Sequence, residues 1–521
     1  MDLLGSSWLG GRTCSGQLER LSPLQVGDVV WGDLVAPRPD FQGALYQFLI
    51  GLLQTAYAPL DVQQWRERYA NPPSREALEA AFKPYRQAFI LQGDGPAFMQ
   101  DLGLPDDANQ LPVLELLIDA GSSNNLYFNK PSAEHGQCES CFAQALLTLQ
   151  LNSPNGGRGH RSSLRKDGPL TTLLLPADDG ATLWQKLWLN VLPQDALDLP
   201  PVTVLSDVLP WLAPTRTSDD KGGQDTPPES VHPLQAYWSM PRRIRLDAST
   251  VGHGQCAVCG ASDVRLIHHY RTRHGGTNYT GNWMHPLTPY NLDAKGEKAP
   301  TPCKGDQAGR GYRDWLGLVL GNDEHQPDAA QVVRHFTEKL SKPTVRLWCF
   351  GFDMSNMKAR CWYDSVLPIH GISPDLRRAF IKQVKRVLDS ADGMARVLHN
   401  QVKAAWFRRP GDHRDSGVGR DPIKQSFWQG SEVNFYVLLD ELVALDFDSE
   451  ATLAPIYCRW LLDTRRQVLA LFDHWVLSGP LEDQDMQRVV KARADLIKEL
   501  NGGKALKPLW EIVNRHHKES A

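Results

Sequence analysis

From Ser373 onward the apolar residues of the chain recur at helical steps, with Leu376, Phe380, Val384, Val387 and Leu388 on one face. Ser373, Pro374 and Asp375 stand ahead of that face as an N-cap residue, a first-turn proline and a first-turn acid. The same spacing returns at about 426–446, 451–478 and 483–501, and Gly502 with Gly503 supplies a stop after the last stretch. Four amphipathic helices joined by connectors predict an antiparallel four-helix bundle over 371–521. The connector 409–425 is longer than a hairpin between helices needs. Upstream, residues 1–210 mix short apolar runs with turn residues. VLELLIDA (113–120) and LTTLLLPA (170–177) predict strands, and ALYQFLIGLLQTAYA (44–58) predicts a buried helix. The polar, Gly- and Pro-rich stretch 214–230 predicts an exposed loop. Residues 231–370 have strand-and-loop character, with Trp238, Trp283, Trp315 and Trp348 as core anchors. The expected fold class is α+β: a large mixed α/β N-terminal domain over 1–370, then the bundle.

Composition narrows this picture modestly. The chain has 521 residues, 41% hydrophobic and 22% charged, which is ordinary globular material for two to four domains. A net charge of -4 provides no global attraction for nucleic acid, so any such binding must come from local basic patches. MDLLGSSWLGGRT (1–13) lacks a charged region followed by an apolar run, so no signal peptide is expected. No stretch approaches the roughly 18 uninterrupted apolar residues of a membrane helix. Nine cysteines, an odd number, argue against a secreted disulfide framework and for the cytoplasm.

Four of those cysteines have metal spacing. Cys138 and Cys141 sit in GQCESCF, and Cys256 and Cys259 in GQCAVCG. A two-residue spacing lets both thiolates of a pair turn toward one cation, and four thiolates make a closed, structural zinc site. Gly136 and Gly260 serve the tight turns of such knuckles. The long separation of the pairs requires the fold to bring them together. A redox Cys-x-x-Cys, incidental buried thiols, or ligand replacement by His268, His269, His274 or His285 stand as alternatives.

Between the pairs lies LNSPNGGRGHRSSLRKDGP (151–169), whose Gly156, Gly157 and Gly159 allow close backbone approach to a ligand. Arg158, His160, Arg161, Arg165 and Lys166 surround it with positive charge, and no Gly-Lys-Ser/Thr follows, which excludes a phosphate-binding P-loop. Further basic clusters, Arg242, Arg243 and Arg245, then Arg265, Arg271, Arg273 and His274, flank the second cysteine pair. Glycine backbone plus arginine suits a nucleic-acid groove, though each cluster alone equally describes a solvated face. No His-Glu-x-x-His, Gly-x-Ser-x-Gly, Walker or dinucleotide-binding motif is present, so no catalytic residues are assigned.

The ordered set MDLLGSSWL (1–9), Phe98-Met99-Gln100, NLYFNKP (125–131), Cys138/Cys141, the loop 154–165, Cys256/Cys259-Gly260 and SFWQGSE (426–432) spans nearly the whole chain. It resembles CasA, the large subunit of the type I-E CRISPR surveillance complex Cascade. The resemblance implies a non-catalytic subunit that recognises the protospacer-adjacent motif in double-stranded DNA, begins strand separation and recruits the helicase-nuclease. It also implies the glycine loop at Gly157, Arg158 and Gly159 with Arg161 beside it, and a minor-groove cation at Arg273. A strand-splitting wedge is implied at Asn356 with Met357, and a hook at Tyr127, Phe128, Asn129 and Pro131. That hook would dock on neighbouring backbone and guide-end subunits and on the guide RNA. The bundle would meet the small subunits and the displaced strand. A zinc-containing interaction scaffold and a zinc-dependent nucleic-acid enzyme are the alternative functions.

Overall fold

The computed structural model describes residues 1–120, 135–155, 160–218, 222–293, 295, 297–306, 310–321, 327–340, 343–355, 358–409, 411, 421–445, 449–479 and 485–517. The chain divides into two compact units, Met1–Asp306 with Asn322–Pro368, and Gln307–Gly321 with Ile369–Ala521. None of the described helices is long and apolar enough to cross a membrane.

The first unit is built around the helix Pro39–Ala56, which is buried along most of its length, as its apolar run requires. It packs against the helix Glu139–Asn152, which is buried nearly all round, with Gln144, Thr148, Gln150 and Asn152 among its buried residues. Phe48 lies edge-on to Trp8, Phe89, Phe98 and Trp238, and these rings form the centre of the unit's core. Thr171–Pro176 pairs antiparallel with the long strand Val345–Ser355, and Lys358–Ile369 lies on the other side of that strand. The strand expected at 170–177 is therefore present.

The run 113–120 is a different case. Its backbone forms a 3-10 turn at Val113–Leu116, and Leu117 and Ala120 continue with turn hydrogen bonds to Leu114 and Leu117. Pairing with the neighbouring strand ends at Pro112, one residue before the apolar run. Val113 and Leu116 are buried by turning, without an extended ladder. The stretch 214–230 is mostly loop, anchored where Thr226 is buried and pairs with Tyr279.

The second unit is helical. Pro374–Trp406, Pro422–Val443, Glu450–Leu477 and Met486–Gly502 are joined by a fifth helix, Lys507–His517, packed on Glu450–Leu477. Ser373 precedes the first helix, but its main-chain carbonyl, not its hydroxyl, takes the first bond, from Leu376. Asp421, Ser449 and Asp485 cap the next three through their side chains. Buried polar pairs fix the packing register: Tyr457 donates to Gln383 and Trp460 to Ser390. The described part of the 307–321 segment belongs to this unit because Tyr312 stacks on Phe435 and hydrogen-bonds Ser431, and Trp315 packs on Phe380. Trp315 is thus a core anchor of the helical unit, whereas Trp238, Trp283 and Trp348 serve the first.

Candidate nucleic-acid interface and metal centre

The two cysteine pairs meet. Cys138 ends a two-residue strand and is the N-cap of the helix Glu139–Asn152, so Cys141 falls in that helix's first turn. Leu266 lies opposite Cys138 in an antiparallel pairing, and Val264–Ile267 also pairs with Val251–Gly254. Cys256 and Cys259 occupy the turn between those strands. That turn is closed by Gly260 N–H to Cys256 O at 3.0 Å and Cys256 N–H to Ala261 O at 2.8 Å, with Gly260 at φ +73°. A side chain at Gly136 would lie 2.8 Å from Leu266 Cβ and 3.2 Å from the Ile267 carbonyl. Both glycines are thus required by the knuckle geometry, one by conformation and one by close approach.

All four sulfurs lie within 4.8 Å of one another, and Cys138 and Cys259 are 3.8 Å apart. A tetrahedral zinc–thiolate centre with bonds of about 2.3 Å places sulfurs about 3.8 Å apart. The donor set therefore fits zinc and fills its coordination shell. Among the described residues this is the single cluster of its kind, and His268, His269, His274 and His285 are not part of it. Without a cation such a cluster resists multiple ionisation. Hydrogen bonds to Cys138 and Cys256, then burial, push the Cys141 thiol far up, while bonds from Cys138 and Cys141 hold Cys256 well down. One thiolate is tolerated there; a divalent cation is what permits four.

The helix that starts at this centre runs 14 residues, about 20 Å at 1.5 Å per residue, to the base of the glycine loop. Beyond it the chain is pinned on both sides of the loop. Arg242 donates to Pro154 O at 2.5 Å, Ser163 N–H bonds Ser153 O at 3.0 Å, and Arg161 donates to Ser218 Oγ at 2.8 Å. Ser218 in turn donates to Gly276 O at 2.6 Å, and its N–H bonds Gly275 O at 3.2 Å. Those glycines lie in the turn that follows Arg273, and a Cβ on Gly276 would sit 1.9 Å from Pro241 O. The base of the loop and the end of the Arg273 strand are thereby tied through one serine, Ser218, which carries no local signal in the sequence.

Arg273 ends the strand His269–Arg273, which lies between Asn109–Pro112 and Arg243–Leu246 with Arg273 opposite Arg243. Its guanidinium is part-exposed and bonds Asp107 at 2.8 Å. Arg271 bonds the Asp106 carbonyl at 2.9 Å and Asp247 at 3.3 Å. Burial works against ionisation of Asp247, but hydrogen bonds from Ser249, Gln110 and Arg271 outweigh it and hold the carboxyl down at about 2.

Several expected surface cations turn inward. Arg165 is 2% exposed and bonds Thr171, Thr288, Gln47 and the Leu151 carbonyl near the helix C-terminus; burial pushes it down to about 10. Burial does the same to Arg242, and Arg243 forms a buried pair with Asp101 at 2.6 Å. These three position the loop base and the sheet, and do not face solvent as a basic cluster would. Gly157, Arg158 and Gly159 lie outside the described residues, as do Tyr127, Phe128, Asn129 and Pro131 of the expected hook. Asn356 and Met357 also lie outside them; the flanking strands end at Ser355 and resume at Lys358.

A mixed α/β unit with a four-cysteine cluster compatible with structural zinc and a tethered basic strand, joined in one chain to a helical unit, defines an α+β protein. A family model for CRISPR-associated protein Cse1 matches residues 2–471, and the chain belongs to that family, the Cse1/CasA type. Solved structures share the fold at low identity. Thermus thermophilus CasA (Cse1) has 17% identity and a TM-score of 0.68, covering 97% of this chain and 99% of that one. Cse1 from Acidimicrobium ferrooxidans has 16% identity and a TM-score of 0.69, covering 99% of both chains. A chain of a structure described as a CRISPR RNA-guided surveillance complex has 16% identity and a TM-score of 0.67, covering 95% of this chain and 99% of that one.

Proposed function

We propose that this chain is the non-catalytic large subunit of a type I-E Cascade complex, reading the protospacer-adjacent motif in double-stranded DNA. The reading includes help in opening the duplex and recruitment of the helicase-nuclease. Family membership and the likeness to a chain of a surveillance complex support the assembly with guide RNA and other Cascade subunits in the cytoplasm. The observation that carries DNA reading is the Arg161–Ser218–Gly276 tether. It joins the base of the glycine loop to the turn after Arg273, so two elements from distant parts of the sequence act as one rigid reader.

Guide pairing selects the target sequence, so the protein needs only a short motif and the shape of the duplex. The minor groove offers a degenerate code, which a backbone loop with arginine reads permissively. Gly157, Arg158 and Gly159 would approach the groove, with Arg161 and Arg273 on its phosphates. Asn356 and Met357 would enter the first base step, and Tyr127, Phe128, Asn129 and Pro131 would dock on the guide end. Zinc, held by Cys138, Cys141, Cys256 and Cys259, would supply rigidity. Four thiolates leave no coordination position for a substrate or an activated water, which disfavours a zinc-dependent enzyme. Binding of motif-bearing and motif-scrambled duplex to the guide-loaded complex tests the reading. Discrimination between them that depends on Arg273 is expected, and equal affinity for both would reject it.

A further inference from the structure

We propose that Asp107 is a displaceable latch on Arg273, a carboxylate that holds this cation until a duplex phosphate replaces it. The inference rests on the reading of Arg273 as a DNA contact. Thr272 pairs with Asn109, so the chain just before Asn109 runs beside the end of the arginine strand. There the Pro105–Ala108 turn, closed by Ala108 N–H to Pro105 O at 3.0 Å, presents Asp107 to Arg273 at 2.8 Å.

Exposure distinguishes this pair from its neighbours. The Asp101 side chain that holds Arg243 is 0% exposed and Asp247 beside Arg271 is 5% exposed, whereas Asp107 is 76% exposed. A buried carboxylate is expensive to strip of its cation, because its desolvation is already complete. An exposed one exchanges its partner with little loss, since water takes over its solvation. A duplex phosphate that reaches Arg273 brings a full charge, several acceptor oxygens and the release of a condensed counterion. The carboxylate is therefore strong enough to occupy Arg273 in the free protein and weak enough to yield to DNA. Its neighbour Asp106 meets Arg271 through the main-chain carbonyl, so that contact survives neutralisation of the Asp106 side chain.

The test uses the guide-loaded complex and a motif-bearing duplex at low salt, with Asp107→Asn, Asp106→Asn and Arg273→Ala alone, and Asp107→Asn combined with Arg273→Ala. Asp106→Asn makes the same change in net charge without freeing a cation. Asp107→Asn is expected to tighten binding about two- to fivefold, the scale of an exposed ion pair. Asp106→Asn should do less, and the gain should vanish once Arg273 is alanine. An unchanged affinity for Asp107→Asn, an equal gain with Asp106→Asn, or a gain that persists without Arg273 overturns the latch. If Arg273→Ala weakens binding while Asp107→Asn changes nothing, the latch alone fails. If Arg273→Ala binds as the parent does, both the latch and the DNA-reading assignment fail.

Discussion

At the scale of single residues, Arg273 and Asp247 make opposite kinds of prediction. Arg273 is part-exposed and, among the described residues, its guanidinium pairs with the exposed Asp107, so Arg273→Ala should leave folding intact. In the assembled complex it should lower motif-duplex affinity at least about tenfold and reduce the salt slope by about one, both read from titrations in a salt series. Asp247 is structural. Its folded pKa of about 2 lies below the ordinary value of 3.8. Its contribution to stability is therefore full above about pH 4 and lost as pH falls through 2. Asp247→Asn should flatten the acid limb of a denaturation-versus-pH profile in that window; a limb identical to the parent's would remove the assignment. The cysteines were legible in the sequence because a two-residue spacing is a local signal. Asp107 and Ser218 were not, since each acquires its role from a partner far away in the chain. Arg165 and Arg243 were misread as surface charge, because sequence shows a guanidinium but not the buried acceptors that receive it.

At the scale of elements, the helix Glu139–Asn152 links the four-cysteine cluster to the loop. Cys138 and Cys141 stand at its first turn, and Arg165 bonds Leu151 near its last. Cys138→Ser should remove bound zinc and lower the melting temperature by about 5 °C or more, since metal binding energy is folding energy and each kcal/mol is worth about 2–4 °C in domains of about 150–250 residues and less in larger ones. Metal analysis and thermal melts check it; a parent-like melt with no zinc in either protein would dismiss the staple. A separate expectation attaches to Asn356, which falls in sequence between the strands Val345–Ser355 and Lys358–Ile369. Asn356→Ala should slow base unstacking beside the motif more than it slows initial binding, read by a fluorescent base analogue; equal rates would reject the wedge. Helical periodicity predicted four helices because long amphipathic runs average out local noise. The fifth, Lys507–His517, is short and follows a glycine pair that reads as a stop. The 113–120 run showed its burial in the sequence but not its turn, because an apolar run without periodicity fits either.

At the scale of the whole molecule, the sequence pattern separated a mixed unit from a helical one. It had no means of assigning 307–321, whose Tyr312 and Trp315 contact residues more than fifty positions downstream. The proposed DNA reading is compatible with a net charge of -4 because assembly with guide RNA and partner subunits would place a few cations where the duplex enters. The most direct measurement is equilibrium binding of motif-bearing and motif-scrambled duplex by complexes carrying the parent chain, Arg273→Ala or Gly159→Asp. Each must first be shown to contain all subunits and guide. The parent is expected to discriminate between the duplexes, and both variants to assemble but bind the motif-bearing one at least about tenfold more weakly. Binding by both variants that matches the parent's would contradict it.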